Sequence, residues 1–206
     1  MLTFALLRNT FTEQMAPFEF FSSFRKKKKN ESLFSISGSA HMHRCSASVV
    51  ETNDNERGFM LENWLEPQCV SLHNKVGSYE EAIAIGGDLL VSAGKATESF
   101  TKRMISAVEE FGPYMVIAPG IAIPHARPED GALAVGLSLI TLDTPVNFGS
   151  PENDPVSLVI CLCSTDSESH LDALARLVSL LEDKRNVDGI LNAADVSEVM
   201  DLISRF

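Results

Sequence analysis

Apolar positions fall at helical spacing between residues 78 and 110, then close up into unbroken runs, and that change of period organises the chain. Ser78-Tyr79-Glu80-Glu81 has the form of a capping box, with Ala82, Ile83, Leu89 and Leu90 forming a stripe up to about Ala93, where Gly94 stops the helix. Thr97 caps a second helix through Glu110 that carries Phe100, Met104, Ile105 and Val108 and is stopped by Gly112-Pro113. Residues 114–123 then read as one buried strand. Residues 133–142 and 156–163 read as two more, joined by a loop over 143–155 rich in Pro, Asn and Gly. Leu158-Val159-Ile160-Cys161-Leu162-Cys163 is apolar throughout, as in a strand covered on both faces, with Cys161 and Cys163 pointing to the same side. His170 opens a third helix bearing Leu171, Leu174, Leu177, Val178 and Leu181. Short helices follow at 187–192 and 196–205, the latter behind Asp195-Val196-Ser197-Glu198, which resembles a capping box. This order predicts an α/β (α+β) fold with a mixed central β-sheet sandwiched between helices in three layers.

Composition separates the first 59 residues from the rest. They contain Lys26-Lys27-Lys28-Lys29 and no sustained period, which predicts a disordered extension, with a folded domain over 60–206. A targeting segment or a lipid-surface contact is an alternative there. It does not fit a secretory signal, because the basic run follows the short apolar stretch. Met60, directly before Leu61-Glu62-Asn63-Trp64-Leu65, is the expected true start. Residues 1–59 hold eight Lys/Arg and six Asp/Glu, and residues 60–206 hold nine and twenty-two, a net of −13 for the domain. So acidic a domain would be repelled by nucleic acid and suits a basic protein partner. No apolar run is long enough to span a bilayer, and a cytoplasmic protein is expected. Cys45, Cys69, Cys161 and Cys163 lack zinc-site spacing and read as reduced thiols.

The candidate chemistry centres on Ile123-Pro124-His125-Ala126-Arg127. Pro124 fixes its own φ and restricts Ile123, so the direction of the next side chain is largely set. An imidazole held there is mostly neutral near pH 7 and therefore nucleophilic. The bland alternative is a turn histidine of no consequence. Arg127 reads equally as a phosphate ligand or a solvated arginine, and Glu129 and Asp130 as a solvated turn. Ser167 and Ser169 read as N-caps before hydroxyl donors, and His73 as structural. His41-Met42-His43 offers adventitious metal binding at most.

The run Gly112 to Gly131, GPYMVIAPGIAIPHARPEDG, with Phe148-Gly149-Ser150-Pro151-Glu152-Asn153-Asp154-Pro155-Val156 downstream, resembles type-2 enzyme IIA domains. These belong to the bacterial phosphoenolpyruvate-dependent sugar phosphotransferase system, in the mannitol/fructose superfamily, and the wording is most similar to the ascorbate-type branch. The resemblance covers residues 60–206 and implies a three-layer fold. It implies that His125 carries a phosphoryl group and that His170, at a helix start, stabilises it. Mannitol-type members use an arginine upstream; here Ala107-Val108-Glu109-Glu110 occupies that stretch, which makes Arg127, with Ser169, the candidate phosphate ligand.

The resemblance further implies phosphate received from the histidine-containing phosphocarrier protein and passed to a cysteine of enzyme IIB. That step is coupled through the membrane enzyme IIC to uptake of an ascorbate-like sugar, with no cofactor and no metal. A regulatory phospho-histidine module acting on a transcription factor or transporter is the alternative. Histidine-metal ligation is a third reading, and it lacks a third ligand at suitable spacing.

Overall fold

The computed structural model describes residues 61–206; the expectations for residues 1–60, including the extension, the start at Met60, Cys45, His41 and His43, lie outside the described residues. Five strands form one mixed sheet: β1 (Leu65–Asn74), β2 (Val116–Ala118), β3 (Ile121–Ala122), β4 (Gly136–Val146) and β5 (Val156–Cys163). Their spatial order is β1-β4-β5-β3-β2. β4 runs antiparallel to β5, while β1 on β4 and β3 on β5 are parallel pairs. Helices α1 (Tyr79–Ser92) and α2 (Glu98–Phe111) cover one face, and α3 (Ser167–Leu181), α4 (Lys184–Leu191) and α5 (Val196–Ser204) the other.

The period-two alternation of β5 joins the layers. Leu158, Ile160 and Leu162 pack with Ala173, Leu177 and Leu180 of α3. Val159, Cys161 and Cys163 point the other way, against Ile83, Leu90, Phe100 and Met104. Both faces of the strand are buried, as the unbroken apolar run requires.

Thr97 occupies the N-cap position of α2 but makes no cap bond, its hydroxyl turning to Gly131 O and Ser99 instead, whereas two other helix starts follow the capping rule with one offset. Ser78 accepts the Glu81 N–H and Asp195 accepts the Glu198 N–H, but each glutamate reaches back one residue further, to Gly77 and Ala194. Strand β1 has no counterpart in the sequence pattern, because Glu66, Pro67 and Gln68 interrupt it. At a sheet edge with a register shift between Leu65 and Val70 the missing Pro67 N–H is tolerated.

The expected single strand over 114–123 is instead a hairpin. Pro119 lacks a ladder donor and Gly120 turns the chain at φ 78°, so Val116 pairs back on Ala122. β4 starts three residues later than expected and runs on to Val146.

Helix α1 comes close to its neighbours through two glycines. A Cβ on Gly87 would lie 2.3 Å from Thr101 Oγ1 and 2.4 Å from its Cγ2, and one on Gly86 would lie 2.5 Å from Cys161 Sγ. Overpacking of this kind costs about 1–3 kcal/mol, against a helix-propensity gain of at most about 1 kcal/mol. Gly87→Ala should therefore lower the urea midpoint at unchanged slope; a midpoint at or above wild type would show that α1 and α2 separate freely.

Candidate active site

His125 sits at the end of the sheet formed by the carboxyl ends of β3 and β5. Ile123 donates its N–H to Met115 O at 2.8 Å, and Pro124 O accepts from Leu162 N at 2.9 Å, so both residues before the histidine are tied into the sheet. A further bridge pairs His125 with Leu162. The ring is then fixed by its own backbone: Nδ1 lies 2.8 Å from Ile123 O. A carbonyl can only accept, so Nδ1 carries the proton and Nε2 the lone pair.

The hairpin turn beneath this residue is held by the second sequence motif. Gly120 donates to Asn153 O at 2.8 Å and accepts from Ser157 N at 2.9 Å, while Asn153 Nδ2 donates to Val116 O at 3.1 Å. Asp154 in turn gathers the N–H groups of Phe148, Gly149 and Ser150 at 3.0, 2.7 and 2.7 Å. The two motifs are thus one structural unit, and no spacing in the sequence announces it.

Helix α3 brings His170 to 5.1 Å from His125, ring centre to ring centre, at 56°. His170 is the fourth residue of α3, not its opening one, and its N–H is already bonded to Asp166 O. The N-cap is Asp166 rather than either serine. Its carboxylate takes the Ser169 N–H at 2.8 Å and the Ser169 hydroxyl at 2.9 Å. The helix-end donors expected for a phosphate are therefore partly spent on this cap. Ser164, buried and not singled out by the sequence, lies with its hydroxyl 3.4 Å from His170 Nδ1.

Both rings are held neutral. Burial lowers the His125 pKa, against a smaller upward push from the Ile123 carbonyl. Burial, and secondly the His125 charge, lower His170 to about 4.

Arg127 is exposed and follows directly in the loop. Its N–H bonds Asp130 Oδ2 at 3.1 Å, and Arg103 Nε of α2 approaches the same oxygen at 3.8 Å. Asp130 is thus a staple of the 3₁₀ turn Pro128–Asp130 rather than a merely solvated residue, while Glu129 is exposed. Tyr114 stands edge-on to His125 at 5.6 Å and 88°. Burial raises the Tyr114 phenol, and the nearby Arg103 and Arg127 guanidinium groups pull it down.

His73 lies away from this site. Its Nε2 meets Ala193 O at 2.9 Å and its Nδ1 lies 3.5 Å from Asp143, which is a structural role. Cys69, Cys161 and Cys163 are buried single thiols, and burial pushes the latter two up to about 12. Among the described residues no three His, Cys, Asp or Glu side chains gather as a metal site.

The neutral histidines set a sign for acid stability. Groups whose folded pKa lies below the unfolded value of 6.5 leave the unfolded chain holding more protons. Stability is then full above about pH 6.5 and falls as the pH drops through the window down to about 4. The urea midpoint should fall between pH 7 and pH 5, and His170→Asn should make that fall shallower. An unchanged fall in the variant would mean that His170 is not held neutral.

The family model described as phosphoenolpyruvate-dependent sugar phosphotransferase system, EIIA 2, matches residues 63–206. The ascorbate-specific PTS system EIIA components of Escherichia coli and Salmonella typhimurium are each 39% identical over 147 residues, covering 71% of this chain and 96% of theirs. The solution structure of the mannitol-specific cryptic phosphotransferase enzyme IIA CmtB from Escherichia coli superimposes with a TM-score of 0.65 at 33% identity, over 71% of this chain and 99% of that one. The mannitol enzyme IIA in its Escherichia coli complex with phosphorylated enzyme IIB gives 0.62 at 25% identity, over 69% and 99%. The three-layer α/β fold expected from the sequence is the one these proteins share. By this match, the chain belongs to the EIIA 2 family of the phosphoenolpyruvate-dependent sugar phosphotransferase system and is a phosphotransferase component of sugar transport.

Proposed function

We propose that His125 is the phosphoryl acceptor, taking phosphate from the histidine-containing phosphocarrier protein and giving it to a cysteine of the cognate enzyme IIB. Through enzyme IIB and the membrane enzyme IIC the phosphate would drive uptake of an ascorbate-like sugar, in keeping with the names of the enterobacterial relatives. The observation that carries the assignment is the hydrogen bond from His125 Nδ1 to Ile123 O, which leaves Nε2 as the lone-pair nitrogen. The proposed partners place the reaction in the cytoplasm. Among the described residues no helix is long and apolar enough to cross a membrane.

Phosphoryl transfer asks little of a protein beyond an aligned nucleophile, donors for the phosphoryl oxygens and exclusion of bulk water. Nε2 of His125 attacks phosphorus as the bond to the donor's histidine breaks, and Nδ1 keeps its proton throughout. A Ser164 hydroxyl that donates to His170 Nδ1 would put the second histidine's proton on Nε2, where the ring serves as a neutral donor to the transferred group. Arg127 supplies positive charge at the rim. Ser169, engaged by Asp166, contributes by fixing the first turn of α3 rather than by binding phosphate directly.

Incubation with phosphoenolpyruvate, enzyme I and the phosphocarrier protein, read by intact mass, tests this. Wild type should gain one acid-labile phosphoryl group and His125→Ala none. His170→Ala should be charged about a hundredfold more slowly and Arg127→Gln about tenfold. Purified enzyme IIB should then remove the phosphate quickly. Slow removal together with tight binding to a regulator would leave a regulatory module instead, and labelled His125→Ala would overturn the assignment.

A further inference from the structure

We infer that Tyr114 is a positioning residue for His125: its ring, backed by Phe111 and Arg103 of α2, holds the imidazole on the side opposite His170 and keeps Nε2 pointing one way. This rests on the assignment of His125 as the phosphoryl acceptor.

The hydrogen bond to Ile123 O fixes one atom of the His125 ring. A ring held by that one bond loses it, and with it the tautomer, when it swings out of its plane, so a second constraint is needed to keep the bond closed. Tyr114 and His170 supply that constraint from opposite layers. Tyr114 packs with the α1 and α2 cluster and meets His125 edge-on at 5.6 Å and 88°. His170 arrives on α3, from the other face of the sheet, at 5.1 Å.

Tyr114 is itself braced. Phe111, the last residue of α2, meets it edge-on at 6.5 Å and 70°. The Arg103 guanidinium lies 5.4 Å from the centre of the Phe111 ring and is anchored to Glu110 at 2.7 Å. A continuous series of ring contacts therefore runs from α2 to the nucleophile, with geometries that favour aromatic pairs. The segment Glu109-Glu110-Phe111-Gly112-Pro113-Tyr114, which has no arginine of its own, thus still reaches the site through its aromatic residues.

Tyr114→Phe and Tyr114→Leu in the full chain, with labelled histidine nitrogens, test this. Tyr114→Phe should keep both the Nδ1–H tautomer of His125 and the wild-type rate. Tyr114→Leu should average the two His125 nitrogen resonances and lower the maximal rate of charging about tenfold, with KM for the phosphocarrier protein unchanged. A folded Tyr114→Leu protein with the wild-type tautomer and rate overturns the inference. Equal losses in Phe and Leu also overturn it, because they assign the effect to the hydroxyl. Should Tyr114→Leu not fold, Phe111→Leu removes the brace instead, and an unaveraged His125 tautomer there overturns the inference as well. The nitrogen spectra need no phosphate, so a wild type that accepts none counts against the acceptor assignment alone.

Discussion

The proposed site is built around the contact between the His125 imidazole and the carbonyl two residues before it. That bond selects one tautomer, and it exists because Ile123 and Pro124 are held in the sheet while the chain leaves it. Pro124 gives the sheet an acceptor but no donor, so regular pairing stops after Ala122, a single bridge remains at His125, and the His125 side chain turns back on the backbone. The Asn153–Asp154 loop fixes the turn below, and α3 sets a second imidazole opposite. Together these elements hold the ring whose Nε2 keeps the lone pair.

The parts legible in the sequence are those governed by short-range rules. The alternation of β5 and the stripes of α1 and α2 depend on residues within one or two turns of one another, and they appear where the pattern puts them. His125 was legible because proline restricts its own neighbourhood. What the sequence hides is decided between distant segments. The edge position that lets β1 tolerate Pro67, the grip of Asn153 on Gly120, the Ser164 hydroxyl beside His170 and the aromatic ring of Tyr114 all depend on tertiary neighbours. Asp166 shows a different failure: Ser167 and Ser169 are also good capping residues, and propensity alone does not choose among three adjacent candidates.

The two histidines also show why burial is useful here. Lowered affinity for protons keeps both rings uncharged at neutral pH, as the proposed transfer requires. The domain carries a net charge of −13, yet no carboxylate contributes to the proton affinity of either ring. Shelter from water is the largest cause for both.

The facing of β5 has a consequence for the chain's own sulfur. Leu162 is the residue bridged to His125, and Cys163 follows it immediately. A one-residue step along a strand reverses the side chain, so the Cys163 thiol lies in the layer under α1 and α2, where burial keeps it protonated up to about 12. On the proposed assignment, a carrier that hands its phosphoryl group to a partner's cysteine has the thiol next to its own bridged residue turned to the other layer and withheld as a nucleophile. The pleat of a single strand would then keep the cargo from being captured internally.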